Sequence, residues 1–272
     1  MQPNLISIRE WLQQELFSSL DFSALSEKFH LAKTEISLYR LKNNSVIVYR
    51  SAIAFQLSRH LSRSPLDISQ EILSKLMPRR SQLKGEVTPP GFLDFGISDR
   101  YLSQWLQSLI AAQNEISFPS NVPQTQKGKR DFFELQYAHA RSCSLLRFGD
   151  RQGLIQRNAA GKWITPSTIP WLNTDFDPAR LRLKHPAEQD LIAELLTIID
   201  SLSSASREDW EKFATGLGKA VLDVERHCRI WGEVAQDSPE LVQARLGLIA
   251  IAQFLLRELL QVQMGIFAPL EL

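Results

Sequence analysis

Two stretches of the chain concentrate cationic side chains. Arg59, Arg63, Lys75, Arg79, Arg80 and Lys84 fall within one short segment, and Arg141, Arg147, Arg151, Arg157, Lys162, Arg180, Arg182 and Lys184 share a second with only three acids. Such clusters are either phosphate-facing patches, in which each Lys or Arg neutralises a backbone charge, or simply solvated faces. Other chemistry has less support. Gly216-Leu-Gly218-Lys219 has the residue types of a phosphate-cradling loop, but it lacks the Walker spacing and no strand pattern precedes it, so a break between helices is expected there. Ser, His and Asp residues are present without a nucleophile-elbow sequence around any serine. Cys143 and Cys228 are the only cysteines, and neither they nor the five histidines show zinc-ligand spacing, so no metal and no cofactor are expected. Both thiols sit in helical apolar patterns, which suits burial in a reducing compartment. Trp163 and Trp171 have rings able to stack on bases, although burial is the usual fate of tryptophan and is favoured here.

Composition limits the classes to which these residues belong. With 272 residues, 44% hydrophobic and 22% charged, the chain has ordinary globular composition and length for two modest domains. Its net charge of +1 is far from the basic balance of a typical nucleic-acid binder; residues 1–128 carry 14 basic and 11 acidic side chains, residues 129–272 carry 17 and 19. No run of about 18 uncharged apolar residues is evident, and Arg9, Glu10 and Glu15 interrupt the N-terminal apolar pattern, so a soluble cytoplasmic protein with no membrane partner is expected.

The elements that must position these residues follow from periodicity. Leu5, Ile8, Trp11, Leu12 and Leu16 recur at helical spacing. Asn43-Asn44 reads as a turn, Ser45–Tyr49 as a strand, and Ala52–Leu61 and Asp67–Leu76 as helices. Glu86–Thr88 and Phe92–Ile97 read as strands around the Pro89-Pro90-Gly91 corner, and Ser98 suits the cap of a helix carrying Tyr101, Leu102, Trp105, Leu106 and Leu109. This half is α+β, with a small antiparallel sheet and helices. Periodicity then disappears, and residues 113–130 read as a polar linker between domains 1–112 and 131–272. The second half is all-α: helices are expected over Phe132–Phe148, Ala187–Leu202, Trp210–Trp231 and Pro239–Gln263, the last opened by Ser238 as a cap. Residues 148–184 are either an ordered excursion with a short hairpin or a mobile functional loop.

Two segments carry more than pattern. Phe132-Phe-Glu-Leu-Gln-Tyr-Ala-His-Ala-Arg-Ser-Cys-Ser-Leu-Leu-Arg147 resembles the opening helix of the DALR anticodon-binding domain of class I arginyl-tRNA synthetases, with its Tyr-Ala-His-Ala-Arg core. His185-Pro-Ala-Glu188, Val224–Ile230, Pro239–Leu246 and the ending Gly265–Leu272 look like the same domain in order. Independently, Ser51–Leu57 and Pro90-Gly-Phe-Leu-Asp-Phe-Gly-Ile-Ser98 look like the N-terminal additional domain of those enzymes. The family's His-X-Gly-His signature and its Lys-Met-Ser-Lys-like loop, which handle ATP, have no counterpart here, and the linker stands in place of the catalytic domain.

The resemblance implies a non-catalytic tRNA-binding protein that contacts the tRNA elbow and anticodon arm, with arginine tRNA the first candidate partner. It implies RNA contacts at Phe92 and Asp94 for the elbow, and at Gln136, Arg141, Arg147 and Leu272 for the anticodon arm. Asp94 stands where the family often has an amide; a carboxylate accepts but does not donate, and it repels phosphate. On the helix of Gln136, Tyr137 and Ala138 are expected to be packing residues, and Arg141 either contacts RNA or forms an internal ion pair. Alternative readings are a repurposed fragment that binds a protein or serves as a scaffold subunit, and an auxiliary supplied in trans to a separate synthetase.

Overall fold

The computed structural model describes residues 7–20, 32, 35–42, 46–77, 83–113, 132–159, 161–202 and 207–272. The Asn43-Asn44 turn, Arg79, Arg80 and nearly all of the expected linker lie outside them. The chain divides into two compact units, Met1–Leu102 and Ser103–Leu272. The helix Asp99–Ala111 runs across that division.

In the first unit, helix α1 (Ile8–Ser19) starts where Ser7 Oγ accepts a hydrogen bond from the Glu10 amide, and it buries Ile8, Leu12 and Leu16 at four-residue spacing. Strands β1 (Leu38–Arg40) and β2 (Val48–Ser51) precede helices α2 (Ile53–Leu61) and α3 (Pro65–Leu76), and β3 (Leu83–Thr88) and β4 (Phe92–Ile97) close a four-stranded antiparallel sheet of order β1-β2-β4-β3. The strand alternation is decisive: Tyr49, Leu93 and Phe95 are buried on one face, while Arg50, Phe92 and Asp94 lie on the other. The β3–β4 corner depends on Gly91, whose φ is +150° and where a Cβ would lie 2.6 Å from the Pro65 Cβ. Ser69 Oγ donates to the Gly91 carbonyl at 2.7 Å and ties the corner to α3.

The expected elements of this half are present, with shifts of a few residues; β1 is an addition, because three edge residues carry too little periodicity to be read. Ser98 accepts from the Tyr101 amide at 3.3 Å, as expected of the cap of α4 (Asp99–Ala111).

In the second unit, α5 (Phe133–Arg151), α6 (Pro186–Ser201), α7 (Arg207–His227), the short α8 (Glu233–Asp237) and α9 (Pro239–Glu258), which ends in a π-helical turn at Leu259–Gln263, surround a core that includes Leu146, Leu191, Leu195, Leu217, Val221, Leu248 and Leu255. α9 with its π turn is long and apolar enough to cross a membrane by length and composition, although Arg245 and Arg257 leave no uncharged run of 18 residues in it, and 72% of its apolar window is buried inside the fold. It is the core helix of this unit.

Two sequence readings are corrected here. α7 runs unbroken through Gly216 and Gly218, which are packing glycines: a Cβ at 216 would lie 2.6 Å from Glu194 Oε2, and one at 218 would lie 3.1 Å from Leu135 Cδ2. No loop exists there to cradle a phosphate. Ser238 precedes α9, but its side chain makes no capping hydrogen bond; the capping box lies instead at α6, where the His185 amide donates to Glu188 Oε2 at 2.8 Å and the Ala187 amide donates to His185 Nδ1 at 3.2 Å.

Residues 154–184 form two two-stranded hairpins, β5 (Gln156–Arg157) with β6 (Trp163–Thr165) and β7 (Leu172–Asn173) with β8 (Arg180–Leu181). Trp163 and Trp171 are buried. Gln107 of α4 fastens this excursion: its Oε1 accepts from the Ile169 amide and Trp171 Nε1, each at 3.0 Å, and its Nε2 donates to the Ser167 carbonyl at 3.1 Å.

Candidate nucleic-acid interface

The six residues singled out from sequence fall into two groups, one in each unit. On the open face of the first unit's sheet, strand register aligns Tyr39, Arg50, Asp94 and Glu86 in one row across all four strands. Arg50 grips Asp94 with both arms of its guanidinium, Nε to Oδ1 at 2.7 Å and Nη2 to Oδ2 at 2.6 Å, and Thr88 Oγ1 donates to Oδ2 at 2.7 Å. Burial disfavours the Asp94 charge, but the hydrogen bonds from Arg50 and Thr88 and the charge of Arg50 outweigh it and hold the carboxyl below its usual range. The carboxylate that threatened to repel phosphate is therefore neutralised by a neighbour 44 residues away. Phe92 is half-buried; its ring lies 4.9 Å from that of Phe55, and the Arg50 guanidinium sits 5.1 Å over it. This face presents an aromatic ring, a neutral ion pair and the exposed Tyr39.

In the second unit, α5 and the C-terminal segment build a groove together. The chain after α9 is laid along α5 by three side chains: Gln136 Nε2 donates to the Phe267 carbonyl at 2.9 Å, His139 Nδ1 bonds the Pro269 carbonyl at 2.8 Å, and Arg147 Nη2 donates to the Leu270 carbonyl at 3.2 Å. Because a carbonyl only accepts, His139 must carry its proton on Nδ1, which leaves Nε2 to accept from Gln253 Nε2 at 2.8 Å. Both ring nitrogens are satisfied in the neutral imidazole. Burial, assisted by the charge of Arg257, lowers the pKa of His139 despite its bond to Pro269.

The groove, of about 440 Å3, is lined by Tyr137, Arg141, Arg147, Phe148, Arg151 and Leu272, among others. Arg141, Arg147 and Leu272 are thus brought together, whereas Gln136 is spent on holding the tail. Arg141 is ion-paired with Glu225 yet remains 41% exposed, and Arg147 reaches Glu271 at 3.1 Å. Sequence reasoning missed the stripe to which they belong. Phe133, Tyr137, Arg141, Ser144, Phe148 and Arg151 follow at steps of four and three, the spacing that places side chains on one helical face. Phe133, Tyr137 and Phe148 are exposed, which corrects the expectation that Tyr137 packs inside; Ala138 alone does so. Phe133 stacks on Tyr137 with centroids 6.2 Å apart, and Phe148 meets Trp231 edge-on at 4.5 Å. Alternation of aromatic rings with guanidiniums suits a surface that meets bases by stacking and phosphates by charge.

Comparison with known proteins finds relatives of one kind. Residues 8–97 match the family model described as the arginyl tRNA synthetase N terminal domain. The chain is 27% identical over 166 residues to the arginine-tRNA ligase of Moorella thermoacetica, covering 59% of this chain and 26% of that protein. It is 29% identical over 166 residues to that of Heliobacterium modesticaldum, covering 58% and 26%, and 27% identical over 153 residues to that of Gloeobacter violaceus, covering 54% and 23%. The alignments thus span about a quarter of the length of these relatives. No solved structure matches significantly. With a match to a synthetase N-terminal domain at residues 8–97 and similarity to these ligases over more than half its length, the chain is arginyl-tRNA synthetase-like in the part that aligns.

Proposed function

We propose that this is a non-catalytic tRNA-binding protein, in which a DALR-type anticodon-binding domain at residues 131–272 takes the anticodon arm in the α5 groove and the synthetase-type N-terminal domain, residues 1–112, meets the elbow through Phe92 and its sheet face. The observation that carries this reading is the convergence of Arg141, Arg147 and Arg151 with exposed Tyr137 and Phe148 in one groove beside Leu272. Arginine tRNA is the first ligand to try, because the relatives are arginine-tRNA ligases. A gel shift of the full chain with total tRNA across a salt series tests it. Each neutralised phosphate contributes a slope of about −0.7 to −0.9 in log affinity against log salt, so three arginines give roughly −2 to −3, a loss of about 20- to 60-fold between 50 and 200 mM. Absence of a shift at low salt, or a shift indifferent to salt, refutes the reading.

A second reading, a protein-binding or scaffold subunit, is favoured by exposed Phe267, Leu270 and Leu272 on the C-terminal segment and by the near-neutral net charge. It predicts a partner complex that survives high salt and is lost in Phe267→Ser.

A further inference from the structure

A separate recess of about 420 Å3 in the second unit is lined by Arg147, Arg157, Lys162 and Arg257, with no carboxylate among its lining residues. Two of these cations are balanced elsewhere, Arg257 by Glu258 at 3.2 Å and Arg147 by Glu271 at 3.1 Å. Among the described residues, Arg157 and Lys162 form no ion pair. The Arg157 Nε is buried and lacks a hydrogen-bond partner, although Asp150 exerts a favourable charge at longer range. Burial, reinforced by the charge of Arg147, works against the Arg157 cation.

The charges converge. Arg147, Arg157 and Arg257 line the recess together with Cys143, whose buried thiol feels the charge of all three. A tight turn fixes the backbone that carries the fourth cation: the Asn158 amide donates to the Lys162 carbonyl at 2.9 Å, the Lys162 amide donates back to Asn158 Oδ1 at 2.8 Å, and Gly161 takes a φ of +80°. A preformed recess of this size admits a small ligand, and a cationic lining with an orphaned guanidinium nitrogen calls for an oxyanion with several acceptor oxygens.

We propose that this recess is a phosphate-binding site, in which Arg157, Arg257 and Lys162 grip a phosphate mono- or diester. The proposal stands apart from the tRNA reading: the α5 groove shares only Arg147 with this recess, and the phosphate belongs either to a free nucleotide or to an RNA backbone.

Calorimetric titration of the full chain with inorganic phosphate, against matched chloride, tests it. One saturable site is expected, weakened about tenfold or more in Arg157→Gln and in Lys162→Gln, the loss of a single charge-assisted hydrogen bond, and unchanged in Lys219→Gln, an exposed cation of α7 outside the recess. Lys162 is exposed, so its substitution leaves the fold intact even if Arg157→Gln does not. Competition by adenosine monophosphate alone assigns a free nucleotide; competition by an RNA trinucleotide lacking terminal phosphates assigns the backbone. The proposal is overturned if phosphate does not saturate a site, or if Lys162→Gln binds it as tightly as the parent chain.

Discussion

His139 sets up a pH-dependent lock on the C-terminal segment. Its folded-state pKa is lowered from 6.5 because the ring is buried, with the charge of Arg257 acting in the same direction and the bond to Pro269 against it. The unfolded chain therefore binds a proton that the folded chain resists, and stability rises with pH through this window. The contribution is fully present above 6.5 and is lost as pH falls below it, until the folded-state pKa is reached. One pH unit below 6.5 the loss is at most about 1.4 kcal/mol. Substituting His139→Gln removes the titratable ring while keeping one donor and one acceptor at this position. Urea unfolding at pH 7.5 and 5.5, followed by tryptophan fluorescence, is the appropriate assay, because Trp105, Trp163, Trp171, Trp210 and Trp231 all lie in the second unit and only Trp11 in the first. The other histidines are common to both proteins, so the difference between them isolates His139. The parent chain should lose more stability than the variant between the two pH values, by at most about 1.4 kcal/mol. Equal losses would refute the buried neutral imidazole as the lock.

Three further outcomes follow from the packing. Gln107→Leu should cost about 1–3 kcal/mol by stranding the buried Trp171 N–H, and limited proteolysis should then cut within residues 154–184 first. Gly91→Ala should destabilise the first unit by about 2 kcal/mol or more, since its φ of +150° and the 2.6 Å approach to Pro65 leave no room for a Cβ; circular-dichroism melting reads this out. Arg245→Met should cost about 3–5 kcal/mol in urea, because Glu188, only 1% exposed, would lose the cation at 2.6 Å that neutralises it.

The parts of this protein that were legible in its sequence are those set by local patterns. Phe133–Arg151, Pro186–Ser201 and Pro239–Glu258 announce themselves by apolar spacing, and the β3–β4 hairpin by alternation around Pro89-Pro90-Gly91. Gly216 and Gly218 misled because a glycine that breaks a helix and one that lets two helices touch look alike until the neighbour, Glu194 or Leu135, is known. The Arg50–Asp94 pair depends on strand register, and the path of residues 265–272 along α5 depends on contacts some 130 positions apart; neither has a local signature. The stripe from Phe133 to Arg151 did have one, in its steps of four and three, but aromatic residues at helical spacing usually signal core, and only the exposure of Phe133, Tyr137 and Phe148 separates the two meanings.

The central claim is that the exposed face of α5 grips folded RNA, and the affinity of the Tyr137→Ala, Arg151→Gln double variant for total tRNA at low salt tests it most directly. Tyr137 and Arg151 are both exposed, so the fold should survive. Loss of one stacking ring and one phosphate contact predicts binding at least about tenfold weaker and a salt slope shallower by about one. Affinity and slope equal to those of the parent chain would show that RNA, if bound at all, lies on another surface.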